Sequence, residues 1–378
     1  MPDLIKPERL AATFVQLCEI DSPSLHEKAL ADHLRGLFTT EFKADILEDD
    51  SASQTGSDTG NLVIRIGDHH HEAPTLFFNC HLDTVEPARG VKVRRSGDTF
   101  TSAGATILGA DDKAGIAMLI ELARCFKEHT ISGPPLEFVF TTCEEIGLRG
   151  AKHFDFRLLR APAGFALDSA GIDLAVIGAP AANGFKATVR GLAAHAGLHP
   201  EKGVNAIQLA ARAVARLPQG RLDEQSTANI GLFSGGQATN IVPELAVVEG
   251  EVRSHDPRLL VRYTNEIKAI FEQTVAASPN STPQLPNLEF TVEEQFPAMD
   301  LQPQSPVLRQ LQKAAAQLGR NLRYTVAGGG SDANIFTAHG RPTAILGTGM
   351  TDVHTTDESI TLSAMVRTTE LLLALAKG

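Results

Sequence analysis

Two spacings of apolar residues alternate along this chain. A helical pattern around Pro7 to Leu17 leads into Asp21, Ser22, Pro23 and Ser24, which suit a turn and the N-cap of a second helix running to about Leu37. Strand-like runs follow at Asn61 to Ile66 and Thr75 to Asn79. A helix then opens near Asp112, with Ile116, Leu119, Ile120 and Ala123 spaced for one buried face. This alternation predicts an α/β sandwich. From about Asn183 the character changes: strand FKATVRG, helix VNAIQLAARAVARL, strands TANIGLFSGG and ELAVVEGEVRS, a helix from Leu259 to Ala277, and strand LEFTVEEQF. That order, βαββαβ, is the ferredoxin-like split unit. After Pro297 the alternation resumes and ends in a helix to Ala376. The pattern therefore predicts a small domain, 183–297, inserted between the halves 1–182 and 298–378 of a larger one. SASQTGSDTG reads as a polar surface loop and SPNSTPQLPN as a turn-rich connection.

With 378 residues, 43% of them hydrophobic, the chain can bury two cores. The formal net charge of −11 and the lack of a basic stripe exclude a nucleic-acid or anionic-membrane surface, so small molecules or peptides are the expected partners. Cys18, Cys80, Cys125 and Cys143 form no CxxC pair and suit a reducing cytoplasm. Neither an export signal nor a membrane-spanning apolar run is expected.

Charge at the ends of apolar runs is the feature that points to chemistry. His81 and Asp83 follow TLFFNC, Glu144 and Glu145 follow LEFVFTTC, and Asp168 follows GFAL; Asp111 and His354 complete the set. Burying such groups is costly unless a positive charge compensates, and metal ions supply one. His81 and Asp83 are two apart and share a strand face, the pairing that orients a histidine ligand. GADDKAG places Asp111 and Asp112 before a helix, where capping accounts for one carboxylate and leaves Asp111 able to bridge two cations. At Glu144-Glu145 neighbouring side chains diverge, so one can bind metal while the other faces water. Each motif alone also fits a solvated loop or a satisfied core histidine. Two histidines and three carboxylates suit zinc, with cobalt or manganese also accommodated. There is no HExxH and no serine nucleophile elbow. The triplet His69-His70-His71 reads as a solvated loop, and Gly328-Gly329-Gly330-Ser331-Asp332 lacks the lysine of a phosphate loop.

The ordered series HLDTV, GADDKAG, CEE, ALDSAG, AAHAG, GQATNIVP, EVRSHD, GGGSDAN and a late histidine resembles the dinuclear-zinc exopeptidase and deacylase family that includes peptidase T, carboxypeptidase G and the aminoacylases. The resemblance covers nearly the whole chain and is nearest to the peptidase T branch. It implies a mixed-sheet catalytic domain of the phosphorylase/hydrolase-like α/β class with the ferredoxin-like insertion as lid and dimerisation domain. Two divalent ions are implied, one held by His81, Asp111 and Asp168 and the other by Asp111, Glu145 and His354. Asp83 would orient His81, and Glu144 would take a proton from the metal-bridging water. The resemblance further implies a cis Asp111–Asp112 bond. His195 would polarise the scissile carbonyl, often from a neighbouring subunit of a homodimer, and Asn240 and Arg253 would contact substrate. The expected activity is aminopeptidase cleavage of short peptides. An N-acyl amino acid deacylase or carboxypeptidase-type amidohydrolase is the alternative, and a non-catalytic peptide- or metal-binding protein a remote one. Thr142-Cys143 stand where peptidase T has proline and aspartate, and His199 is an extra imidazole read as a loop residue.

Overall fold

Strands covered on both faces need apolar residues at successive positions, and three strands of the first unit have them. Leu76–His81, Leu136–Thr141 and Thr343–Gly347 are buried along their whole length in the computed structural model, which describes residues 4–67, 76–131, 133–278 and 284–377. Thr75, the histidine triplet at 69–71 and residues 279–283 of the turn-rich connection lie outside the described residues. The chain divides into two units, Met1–Ala179 with Met299–Gly378, and Pro180–Ala298.

In the first unit the main sheet runs Asp45–Glu48, Leu62–Ile66, Leu136–Thr141, Leu76–His81, Gly164–Ser169, Thr343–Gly347, Leu174–Ala179 and Met299–Asp300, with Arg323–Val326 also paired to Leu174–Ala179. Leu76–His81 is parallel to both of its neighbours, and Gly164–Ser169 is parallel to Thr343–Gly347, so four adjacent central strands point one way. The register places Phe78 beside Phe138 and Phe165. These rings join the core that includes Ile116, Leu119 and Ile120 of the helix Ala110–Glu128. Phe77 points to the opposite face, where Phe154 and Phe336 close a second apolar layer. Alternation along a strand thus feeds two cores at once. A mixed α/β sandwich is what the sequence pattern predicts, and it is what forms. Among the described residues no helix is long and apolar enough to cross a membrane.

Two local expectations are corrected. SASQTGSDTG is not a surface loop: Ala52–Thr55 is a helical turn, and Ser51, Thr55, Ser57 and Thr59 are buried. Acids accept their hydroxyls, Asp49 from Ser51 at 2.5 Å, Glu27 from Ser57 at 2.6 Å and Glu48 from Thr59 at 2.9 Å. Small polar groups bury readily once bonded in this way. The Asp21–Ser24 segment does not cap the next helix, which spans Lys28–Leu37 and has its Lys28 amide bonded to Asp58 at 2.8 Å.

A buried ion pair lies in the sheet. Arg65 donates from Nε to Glu137 at 3.0 Å, and the same carboxylate accepts the amides of Arg160 and Ala161 at 2.9 and 2.7 Å. Glu137→Ala leaves Arg65 Nε and two buried amides without an acceptor, while Asp45 at 3.0 Å and the Leu158 carbonyl at 2.6 Å still hold the guanidinium, so unfolding free energy in urea is expected to fall by about 2–4 kcal/mol. A loss under 1 kcal/mol, roughly what an exposed pair contributes, would mean that water or Asp45 replaces the missing carboxylate.

The second unit is a wholly antiparallel sheet ordered Gly220–Arg221, Ser226–Gly235, Leu245–Ser254, Ala181–Arg190, Asn287–Phe296. Helices Ala206–Val214 and Pro257–Ala276 contribute Leu209, Ile267 and Phe271 to a core shared with Phe185, Val189, Val248 and Val252. Asn205 and Asp256 cap the helices, accepting from Gln208 at 2.9 Å and Arg258 at 2.8 Å. Gly220–Arg221 adds a two-residue edge strand too short to carry a periodic signal.

Candidate active site

In an open α/β sheet, side chains at the carboxyl ends of adjacent parallel strands converge on one crevice. His81 is the last residue of its strand, Asp168 lies near the end of Gly164–Ser169, and Glu144-Glu145 follow Leu136–Thr141. His354 lies beyond Thr343–Gly347, and Asp111 opens the helix Ala110–Glu128. Strand order in space differs from order in sequence, and so residues far apart in the chain meet.

Asp111 is the centre of this meeting. Its Oδ1 lies 3.0 Å from His81 Nε2, and its Oδ2 lies 3.3 Å from His354 Nε2. The same His354 nitrogen is 3.0 Å from Glu145 Oε1. One donor atom each from His81, Asp111 and Glu145 fall within 4.8 Å of one another, the spacing of a possible metal-binding group. The Asp111–Asp112 peptide bond is cis. His81 Nδ1 contacts the backbone carbonyl of Asp83 at 2.8 Å, whereas the nearer Asp83 carboxylate oxygen is 3.6 Å away. Either contact leaves Nε2 as the nitrogen directed at Asp111, the arrangement of a ligating histidine.

The Asp83 carboxylate also holds the acidic turn, accepting the Glu144 amide at 2.9 Å and the Glu145 amide at 3.2 Å, with Ser24 Oγ donating to it at 2.6 Å. Asn61 Oδ1 accepts from the Thr142 amide at 3.0 Å. Gly150 lets the chain pass: a Cβ there would lie 2.1 Å from the Thr142 carbonyl oxygen. Glu358, absent from the sequence-derived set, accepts the amides of Leu108, Gly109 and Asp111 at 2.8, 2.7 and 3.0 Å. It lies four residues after His354, so one short segment supplies an imidazole and braces the loop that presents Asp111. The only sequence signal that could have found it is an acid shortly after a candidate histidine, a common pattern.

A dry site disfavours charge on its acids, and neighbouring charges add to or offset that cost. Burial, with the charges of Asp111 and Glu145 adding to it, pushes Asp168 up to about 8. Burial, together with Asp168, raises Glu144 well above the carboxylate range, and burial also raises Glu145. Burial opposes charge on Asp111 too, but the two imidazoles outweigh it and hold that carboxyl below the usual range. Bonds to Asp111 and Glu145 push His354 up to about 10.

The remaining sequence-derived residues belong to the second unit. His195 is exposed, and its Nδ1 accepts the amides of Gly197 and Leu198, both at 3.2 Å. Its Nε2 is therefore the protonated nitrogen and a donor. The Asn240 carbonyl accepts the Ala196 amide at 3.0 Å, which joins the two loops. Arg253 pairs with Glu251 on the same strand at 2.9 Å. His199 is exposed and lies 3.2 Å from Glu201.

The family model for peptidase family M20/M25/M40 matches residues 77–378. The chain belongs to this family. This M20 peptidase is 37% identical over 373 residues to the YqjE protein of Bacillus subtilis (strain 168), with 98% of each chain covered. Its structure is similar to that of a tripeptidase from Staphylococcus aureus subsp. aureus mu50, with TM-score 0.91, 36% identity, and 99% of this chain and 98% of that one covered. It is also similar to the aminopeptidase PepT of Bacillus cereus ATCC 10987, with TM-score 0.89, 37% identity and 99% of each chain covered. The M20 peptidase is thus an enzyme of peptide hydrolysis from a metal-dependent family.

Proposed function

We propose that this M20 peptidase is an aminopeptidase of short peptides that works with two divalent ions, zinc before cobalt or manganese. The observation that carries the reading is Asp111, with an imidazole at each carboxylate oxygen and Glu145 alongside. The residues fit such a group: mixed nitrogen and oxygen donors suit zinc, and the burial, with neighbouring negative charge, that raises Asp168, Glu144 and Glu145 is a cost that added cations would offset. His81, Asp111 and Asp168 would hold one ion, and Asp111, Glu145 and His354 the other. Bound there, the ions polarise the scissile carbonyl and lower the pKa of water to about 7.

Glu144 takes a proton from the attacking water and passes it to the leaving amine. Asp83 holds the Glu144 amide and so fixes where that carboxylate starts. His195 donates from Nε2 to the developing oxyanion, a role supported by the two amides that occupy Nδ1. Asn240 and Arg253 hold the substrate. Residues 1–182 and 298–378 act as the catalytic domain and 183–297 as a lid. Exposed Leu232, Phe233 and Ile241 support a homodimer formed through that lid. Four free buried cysteines support a cytoplasmic location.

A panel of di- and tripeptides, free and N-acylated, assayed with zinc, cobalt and manganese, tests the reading. Free peptides are expected to lose their N-terminal residue and acylated ones to resist. Preference for the acylated members would favour an N-acyl amino acid deacylase or carboxypeptidase-type amidohydrolase. No cleavage of any member would remove the proposed substrate class.

A further inference from the structure

Glu27 lies outside the ligand and base set, yet it reaches the acidic turn from 116 residues away in sequence. It precedes the helix Lys28–Leu37 and is fully buried. Its Oε1 accepts the Cys143 amide at 3.0 Å, the Cys143 thiol at 3.2 Å and the Leu25 amide at 3.1 Å, while Oε2 accepts Ser57 Oγ at 2.6 Å. Cys143 has φ +52°, a left-handed backbone that a residue with a Cβ adopts only when its surroundings impose it. Rotation at that residue swings the next side chain, which is Glu144.

We propose that Glu27 is a positioning residue for the hydrolytic step, clamping Cys143 in its left-handed conformation through both amide and thiol and thereby aiming Glu144. With Glu27, every amide from Thr142 to Glu145 ends on a side-chain oxygen, from Asn61, Glu27 and Asp83 in turn. The turn is held at four successive points, and Glu27 holds the one whose backbone is strained. The assignment rests on Glu144 being the base, but the clamp itself can be read without any substrate.

The test compares wild type, E27A, E27Q and the double variant E27A/C143G in the full-length, metal-loaded enzyme. Amide hydrogen exchange over residues 142–145 is expected to quicken about tenfold or more in E27A, as a clamped turn opens locally. E27Q keeps an acceptor for the Cys143 amide and should exchange like wild type. On a free tripeptide, kcat of E27A should fall about 10²-fold, the cost of a misplaced reacting group, with KM and metal content little changed. Glycine adopts positive φ freely, so C143G should restore part of the lost kcat in the E27A background, a recovery that a merely structural carboxylate would not produce. Should E27A prove insoluble, E27D shortens the same side chain and supplies the comparison. Unchanged exchange at 142–145, or a folded E27A with wild-type kcat, overturns the assignment. If wild type cleaves no peptide at all, the proposed activity falls, while the exchange of residues 142–145 still shows whether Glu27 holds the turn.

Discussion

Glu144→Gln is expected to lower kcat by about 10²–10⁴-fold, the range a general base contributes, with metal content at the wild-type level. Glutamine matches glutamate in shape but cannot accept the proton. The amide of residue 144 would still bond to Asp83, so the turn and the neighbouring Glu145 keep their places. The donor cluster of His81, Asp111 and Glu145 does not include Glu144, which is why metal should remain. Turnover and elemental analysis on the same preparation separate the outcomes. Survival of kcat in a metal-replete Glu144→Gln enzyme would place the base elsewhere. Loss of metal together with activity would make Glu144 a ligand.

Asp111→Ala is expected to have the larger effect, because one carboxylate faces both imidazoles. Without it His81 and His354 lose their shared partner, and both proposed metal positions lose a ligand. Metal content should fall from two ions per chain to one or none. Activity should drop at least about 10³-fold, as expected from losing several kcal/mol of transition-state stabilisation. Asp111→Asn keeps one carbonyl oxygen and should fall between the two. An alanine variant that still binds two ions would show that the carboxylate does not bridge. Because Glu358 holds the amide of residue 111 through the backbone, the loop should persist in either variant. A thermal melt of the metal-free proteins checks that the change is confined to the side chain.

The two experiments probe different parts of one geometry. Asp83 links them: its carbonyl contacts His81 while its carboxylate accepts the Glu144 and Glu145 amides. The sequence predicts Asp83 as the partner of His81, since a two-residue spacing on a strand puts both side chains on one face. The strand ends at His81, so that alternation stops before Asp83. Its carboxylate is free to turn toward the 142–145 segment. Ser24 illustrates the same point: it suits a helix cap by type, but the helix starts later and the hydroxyl serves Asp83. His195 shows the converse, since its residue type pointed to a donor but only the two amides on Nδ1 specify which nitrogen donates.

What could be read from the chain alone was whatever repeats or clusters locally. Apolar spacing marked the strands and helices, and the βαββαβ order marked the ferredoxin-like unit, because both periods arise from a few consecutive residues. Charge at strand ends marks His81, Asp83, Glu144, Glu145 and Asp168 as candidates, and Asp111 before its helix with His354 in a later loop completes the set, because burial makes such charge conspicuous within its own segment. The tertiary structure alone placed Leu136–Thr141, Leu76–His81, Gly164–Ser169 and Thr343–Gly347 side by side and parallel, out of chain order. It alone recruited Glu27, Asn61 and Glu358, whose amide partners lie 116, 81 and up to 250 residues away. A carboxylate or amide oxygen that accepts a distant backbone N–H needs no period and no neighbouring partner of any particular type. Its role exists only once the chain has brought the two segments together.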